Sequence, residues 1–256
     1  MTIPENNNKL SSSAGLVESY QKQYDIPRSD SFLQWRGIAA KTKAGNIIEM
    51  AGKLSVNKVL EVGCGDGSVM FWLGEAGFAG SLYGADISES AIKQVYNKQI
   101  KSFEQACVYD GYKLPYEDGF FDVAYCSHVL EHVEYPRALI REIGRVSKYQ
   151  IYEVPIDFSF YVDRRVEHFC GYGHINIFTP GLLRFLLFSE GYRMLNDKKG
   201  FFGKDFIKAN FKNKPVAKIL FRLKSMVIKL IPYLKGIKPN YYCILTEKGG
   251  SLKTIS

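Results

Sequence analysis

Lys58-Val59-Leu60-Glu61-Val62 runs without a break into Gly63-Cys64-Gly65-Asp66-Gly67. A short apolar run that ends in glycines and leads at once into a helical pattern reads as a buried strand turning into a helix. Glycine at alternate positions permits positive φ and lets a ligand approach the backbone. This unit confines the chain to α/β architectures. Further strand patterns at 81–85, 106–109, 120–126, 149–154, 192–195 and 241–246 alternate with helical patterns at 31–54, 69–76, from Ser88, at 136–146 and from Thr179-Pro180. Such alternation predicts a doubly wound, mostly parallel sheet of seven strands with helices on both faces. Ligands of such sheets bind at the carboxyl ends of the strands, so residues just after strands are the candidates for chemistry.

The length of 256 residues fits one large domain with an appendage. The net charge of +8 is unevenly spread. Between Asp197 and Asn240 stand 12 Lys/Arg and two Asp, whereas the remainder has 22 basic and 24 acidic residues. A nearly neutral domain carries one basic segment, which disfavours a uniformly basic nucleic-acid binder. The five cysteines are scattered with no CxxC pair, as expected of a reduced, cytoplasmic protein. Residues 1–13 are polar and lack the apolar core of a leader peptide. The most apolar stretch, Val216 to Leu234, is broken by Lys218, Arg222, Lys224 and Lys229, so no spanning helix is expected.

The glycines read G-x-G-x-G with Ser68 following, not the G-x-G-x-x-G of dinucleotide sites, and no GxxxxGK[ST] is present. Glu61 places an acid where an amine-bearing ligand is welcome. Asp86 closes the second strand, Asp110 follows the third, and Phe121 to Val133 covers the fourth strand and its exit. In this order the motifs resemble the class I S-adenosylmethionine-dependent methyltransferases, in particular their type 11-like small-molecule group. The resemblance implies the cofactor S-adenosyl-L-methionine. Its amino-acid end would be held by Glu61, Gly63, Cys64, Gly65 and Gly67, its ribose by Asp86 with Ile87, and its adenine by Asp110 and Gly111. Ser127 and the run after it would line the methionine portion. The resemblance also implies that the last strand inserts antiparallel between the fifth and sixth. The acceptor expected is a small molecule, glycan or lipid-linked compound, methylated at oxygen. An RNA methyltransferase and a non-catalytic cofactor-binding scaffold are the alternatives.

The histidines are the candidate bases. His128, Glu131 and His132 form H-x-x-E-H, whose two imidazoles could face one metal if the segment is helical; the reading preferred is a loop that packs Leu130 and Val133 on the core, with His132 hydrogen-bonded. Related quinone-pathway methyltransferases carry E-x-x-E-H there and bind a divalent cation. His128 departs from that pattern, and no metal is expected. His174, in His174-Ile175-Asn176-Ile177-Phe178-Thr179, resembles the H-x-N-x-F-T stretch of small-molecule methyltransferases, which makes it a substrate contact or general base; capping of the next helix is the alternative. His168 lies in the same segment. His174 and His128 are thus the catalytic candidates.

Residues 1–30 are expected to form a tail and the start of an N-terminal cap, 31–199 with 240–248 the catalytic domain, and 200–239 a basic insertion. Lys214, Lys218, Arg222, Ser225 and Lys229 fall on one helical stripe opposite Ile219, Leu220, Leu223, Met226, Val227, Leu230 and Ile231. A lid or dimer surface, an anionic membrane surface contacted through 214–235, and RNA binding with the aid of Phe201, Phe202, Phe206 and Phe211 all remain open. The cap aromatics Tyr20, Tyr24 and Trp35, with Arg36, either cover the cofactor or belong to the core.

Overall fold

The computed structural model describes residues 18, 20, 24–25, 29–52, 54–157, 167, 173–201, 219, 223 and 239–249. The expected N-terminal tail, His168 and nearly all of the basic insertion lie outside the described residues.

Helix α1 (Asp30–Ala51) is started by Ser29, whose Oγ accepts from the Phe32 N–H, and stopped by Gly52 at φ 53°. That left-handed cap ends it three residues short of the periodicity in the sequence. Strand β1 (Lys58–Val62) turns through the glycines into α2 (Ser68–Glu75). Then come β2 (Ser81–Asp86) and α3 (Glu89–Asn97), the latter capped by Ser88 Oγ on the Ala91 N–H at 3.2 Å. Strands β3 (Phe103–Val108) and β4 (Phe121–Ser127) follow, then a 3-10 turn at Leu130–His132, α4 (Pro136–Val146) and β5 (Ser147–Pro155). Helix α5 (Pro180–Ser189), with Thr179 as cap, leads to β6 (Tyr192–Gly200), and β7 (Tyr241–Lys248) closes the fold.

The seven strands run in the order β3-β2-β1-β4-β5-β7-β6. All neighbouring pairs from β3 to β5 are parallel, and β7 is antiparallel to both β5 and β6, as expected. One apolar core joins Ala40, Ala44 and Ile47 of α1 and Leu73 of α2 to Val59, Val123 and Ile151 of the sheet. The other joins Ile140 and Ile143 of α4 and Leu183 and Leu187 of α5 to Leu60, Ala124 and Val154. Helices therefore cover both faces. Strand order reverses between β1 and β4, which opens a crevice at their carboxyl ends.

Three details differ from the sequence reading, each for a physical reason. Strand β3 begins three residues early and β6 runs on to Gly200; both are edge strands, so Glu104, Gln105 and Asn196 to Lys199 are mostly solvated and leave no apolar alternation to read. Leu182 and Phe185, which an unbroken apolar run would turn inward with their neighbours, are 52% and 65% exposed. A continuous apolar run covers every side of a helix, and only the side bearing Leu183 and Leu187 meets the sheet. Among the described residues no helix is long and apolar enough to cross a membrane.

Candidate active site

The glycine turn is tied to the neighbouring strand: the Gly63 and Cys64 N–H groups both donate to the Ala85 carbonyl, at 2.8 and 3.1 Å. Gly63 and Gly65 have φ of 74° and 53°. A Cβ on Gly63 would lie 2.3 Å from Val129 Cγ2, and one on Gly65 would lie 2.5 Å from the Tyr24 hydroxyl. Gly67, at φ 72°, is the N-cap of α2. Asp86 ends β2 and braces the turn, accepting the Gly65 N–H on Oδ2 at 2.7 Å and the Ser88 N–H on Oδ1 at 2.9 Å. Each oxygen keeps a lone pair for an external hydroxyl. Burial pushes its carboxyl up, and the N–H groups of Ser88 and Gly65 pull it back only in part. Asp110 Oδ1 accepts from the Tyr112 and Lys113 N–H groups at 2.8 and 2.6 Å, which holds its carboxyl below the usual carboxylate range.

These residues border a cavity of about 270 Å³. Gly63, Asp86, Ile87, Tyr109, Asp110 and Gly111 line one side. His128, Val129, His132, Val133 and Glu134 line the other, and Tyr20 and Tyr24 of the N-terminal segment complete it. Of the two placements left open for these tyrosines, both residues take the one at the cavity. Tyr24 is held by its carbonyl, which accepts from Gln94 Nε2 at 2.8 Å, and by Arg36 against its ring. Cys64 and Ser127 do not line the cavity: Cys64 Sγ packs under Gly84, and Ser127 Oγ donates to Glu153 Oε1 at 3.1 Å. Glu61 lies behind the turn, 4% exposed, with Oε2 lacking a hydrogen-bond partner. Burial raises its pKa to about 8.

The opposite wall is built on imidazoles. His128 has φ 57°, a conformation rare outside glycine and costly without support. That support is a backbone N–H bond to the Glu153 carbonyl at 2.8 Å and two buried carboxylates, Glu131 at 3.5 Å from Nδ1 and Glu153 at 3.4 Å from Nε2. The left-handed residue and the 3-10 turn after it remove the helix that the H-x-x-E-H spacing required. Instead Glu131, His132 and His174 bring one ligand-type atom each to within 4.8 Å of one another. His132 Nδ1 meets the Gly173 carbonyl at 2.9 Å and the Tyr20 hydroxyl. Burial lowers its pKa. His174 Nδ1 lies 2.6 Å from Asp157 Oδ2, and its ring meets that of His132 edge-on at 4.8 Å. Burial works against its charged form, but Asp157 and Glu131 carry its pKa above the ordinary value. Asp157 and Glu153 were not singled out from sequence. Asp157 stands two residues past a strand, where the strand-end rule could have found it.

Residues 60–150 match the family model described as "Methyltransferase domain". Those residues thus resemble a methyltransferase domain. The chain is similar to a Bordetella parapertussis protein named "Ubiquinone biosynthesis O-methyltransferase", 31% identical over 112 residues, which are 41% of this chain and 44% of the relative. It is also similar to a Burkholderia mallei protein named "Ubiquinone/menaquinone biosynthesis C-methyltransferase UbiE", 28% identical over 149 residues, 56% of this chain and 59% of the relative. The chain thus spans about half the length of the curated relatives it matches. Among solved structures, the magnesium protoporphyrin IX methyltransferase of Synechocystis with bound SAH superposes with a TM-score of 0.56 at 15% identity, covering 91% of this chain and 94% of that one. At that identity the likeness is one of fold.

The site fits the cofactor that its motifs imply. The orphaned Glu61 oxygen offers an acceptor for an ammonium, two glycines stand where no Cβ has room, and Asp86 has acceptor capacity left for vicinal hydroxyls.

Proposed function

We propose that the chain is an S-adenosylmethionine-dependent methyltransferase that methylates an oxygen of a small-molecule acceptor. The observation that carries this reading is the brace between Asp86 and Gly65 at the sheet's reversal point, with the Asp157–His174 pair packed behind His132 of the cavity wall. When bound, the cofactor supplies a methyl group activated on a sulfonium. Asp86 would hold the ribose, Asp110 and Gly111 would lie against the adenine, and Glu61 would receive the ammonium of the amino-acid end. His174 takes the acceptor's hydroxyl proton at the ring nitrogen remote from Asp157, and Asp157 stabilises the imidazolium that forms. Tyr20 and Tyr24 keep water from the reacting centre. The proteins named for ubiquinone biosynthesis support a phenolic acceptor.

The test is calorimetric titration with S-adenosylhomocysteine, followed by assay of catechols and phenols for O-methylated product. Micromolar binding and product are expected; no binding at millimolar concentration overturns the reading. The affinity carries its own pH signature. The Glu61 carboxyl, raised to about 8 by burial, must ionise to receive an ammonium, so binding releases a proton. Affinity should strengthen as pH rises from 6 towards 8 and level off above it, a trend that Glu61→Gln abolishes.

A lipid-linked acceptor is a second reading, favoured by where the basic segment is attached. Gly200 and Tyr241 pair with each other, and Tyr241 pairs with Pro155 at the carboxyl end of β5, so segment 201–240 springs from the edge that carries the cavity. At roughly 1 kcal/mol per basic residue near an anionic leaflet, half of its Lys/Arg would suffice for binding. Vesicles rich in phosphatidylserine should co-sediment the full chain and not a 202–238 deletion; equal sedimentation of the two removes the membrane role.

A further inference from the structure

The segment from Gly173 to Phe178 leads into α5 and lies outside the sheet, so its polar groups must be met elsewhere. They are met by the cavity wall. The Ile175 and Asn176 N–H groups both donate to the Glu131 carbonyl, at 2.8 and 3.0 Å. Asn176 Nδ2 donates to the Leu130 carbonyl at 3.2 Å and to the Val133 carbonyl at 2.7 Å. In return His132 Nδ1 meets the Gly173 carbonyl at 2.9 Å. A carbonyl only accepts, so this bond places the His132 ring proton on Nδ1.

These bonds fall on a turn that holds itself poorly. Leu130–His132 is a single piece of 3-10 helix, entered through the left-handed His128. One turn fixes several dihedrals for few hydrogen bonds of its own. Yet His132 on this turn, with Val129, Val133 and Glu134 beside it, lines the cavity. The other segment carries His174, whose ring packs on His132 at 4.8 Å and pairs with Asp157 at 2.6 Å. Asn176 joins the two. A primary amide suits that place, because two hydrogens diverging from one nitrogen meet two carbonyls. An aspartate of the same shape would set acceptors against both.

We infer that Asn176 is a positioning residue for methyl transfer: it locks the turn bearing His132 to the segment bearing His174, so that the cavity wall and the base behind it stay in one alignment. Asn176 touches no reacting atom and acts through His174. The inference rests on the reading of His174 as the base and gives the asparagine of the H-x-N stretch its work.

The experiment is a double-mutant cycle on the full chain, read as kcat for the phenol or catechol turned over in the assay above. Asn176→Ala and Asn176→Asp should each lower kcat by about 100-fold, the cost of a small misplacement made away from the chemistry. Affinity for S-adenosylhomocysteine should stay within about threefold, because Gly63, Asp86 and Asp110 stand on other turns. In a His174→Ala background the same two changes should add less than about threefold, since nothing is left for Asn176 to align. Equal losses in both backgrounds make the asparagine merely structural and overturn the inference, as does full kcat in Asn176→Ala. An unchanged kcat in His174→Ala alone defeats the base reading instead. One arm needs no variant to fold: imidazole nitrogen NMR of the wild type should show His132 protonated at Nδ1. Protonation at Nε2 alone would leave the Gly173 carbonyl without its donor and overturn the lock.

Discussion

Asp86→Ala is expected to weaken S-adenosylhomocysteine binding at least ~100-fold, since two hydroxyl bonds to one carboxylate are worth roughly 1.5–3 kcal/mol each. The same change removes the acceptor for the Gly65 and Ser88 N–H groups, now 2.7 and 2.9 Å from the carboxylate. Both are buried against the turn, and a buried N–H without a partner costs about 1–3 kcal/mol. The variant should therefore melt at a lower temperature as well as bind poorly. Asp86→Asn separates the two effects. The amide keeps one acceptor oxygen for the backbone but brings a donor group against the other site. It should recover most of the stability and little of the affinity. Full affinity in a folded Asp86→Ala protein would reduce Asp86 to a brace and remove the ribose contact.

His174→Ala should lower kcat for a hydroxyl acceptor by about 10²–10⁴, the usual worth of a positioned general base. Binding of S-adenosylhomocysteine should be unchanged, because His174 packs behind His132 and does not line the cavity beside Asp86 and Asp110. The pH dependence gives the sign. The base must be unprotonated, so the rate climbs as pH rises through the His174 pKa. Asp157 and Glu131 raise that pKa against the opposing effect of burial. Asp157→Asn should move the acid limb of kcat against pH to lower values as well as reducing the maximum. An unmoved limb in Asp157→Asn, or an unaffected kcat in His174→Ala, would place the proton transfer elsewhere on the wall.

The half of the site that faces the cofactor was legible because its chemistry is local. Alternating glycines, an acid at the end of one strand and another after the next are all set by a few consecutive residues, and the structure brings Gly63, Asp86, Ile87, Asp110 and Gly111 to one cavity. The acceptor half depends on contacts between distant segments. Asp157 reaches His174 across 17 residues, and Tyr20 reaches His132 across 112. No spacing rule foretells such pairs. The H-x-x-E-H segment forms the loop preferred from sequence: His128 is left-handed, Leu130 is buried, His132 is hydrogen-bonded, and Pro136 starts the next helix only later.

The join between β6 and β7 has a consequence for how such a domain can change over time. The Asn240 N–H donates to the Gly200 carbonyl at 2.8 Å, and a Cβ on Gly200 would lie 1.9 Å from the Tyr241 ring. The sheet is stitched shut at that knot, and whatever chain hangs beyond it adds only the slowly growing entropy of a longer loop. Lineages are thus free to lengthen, shorten or exchange the sequence between Gly200 and Asn240 without touching a single rung of the ladder, and to change what meets the cavity's rim while the cavity stays as it is.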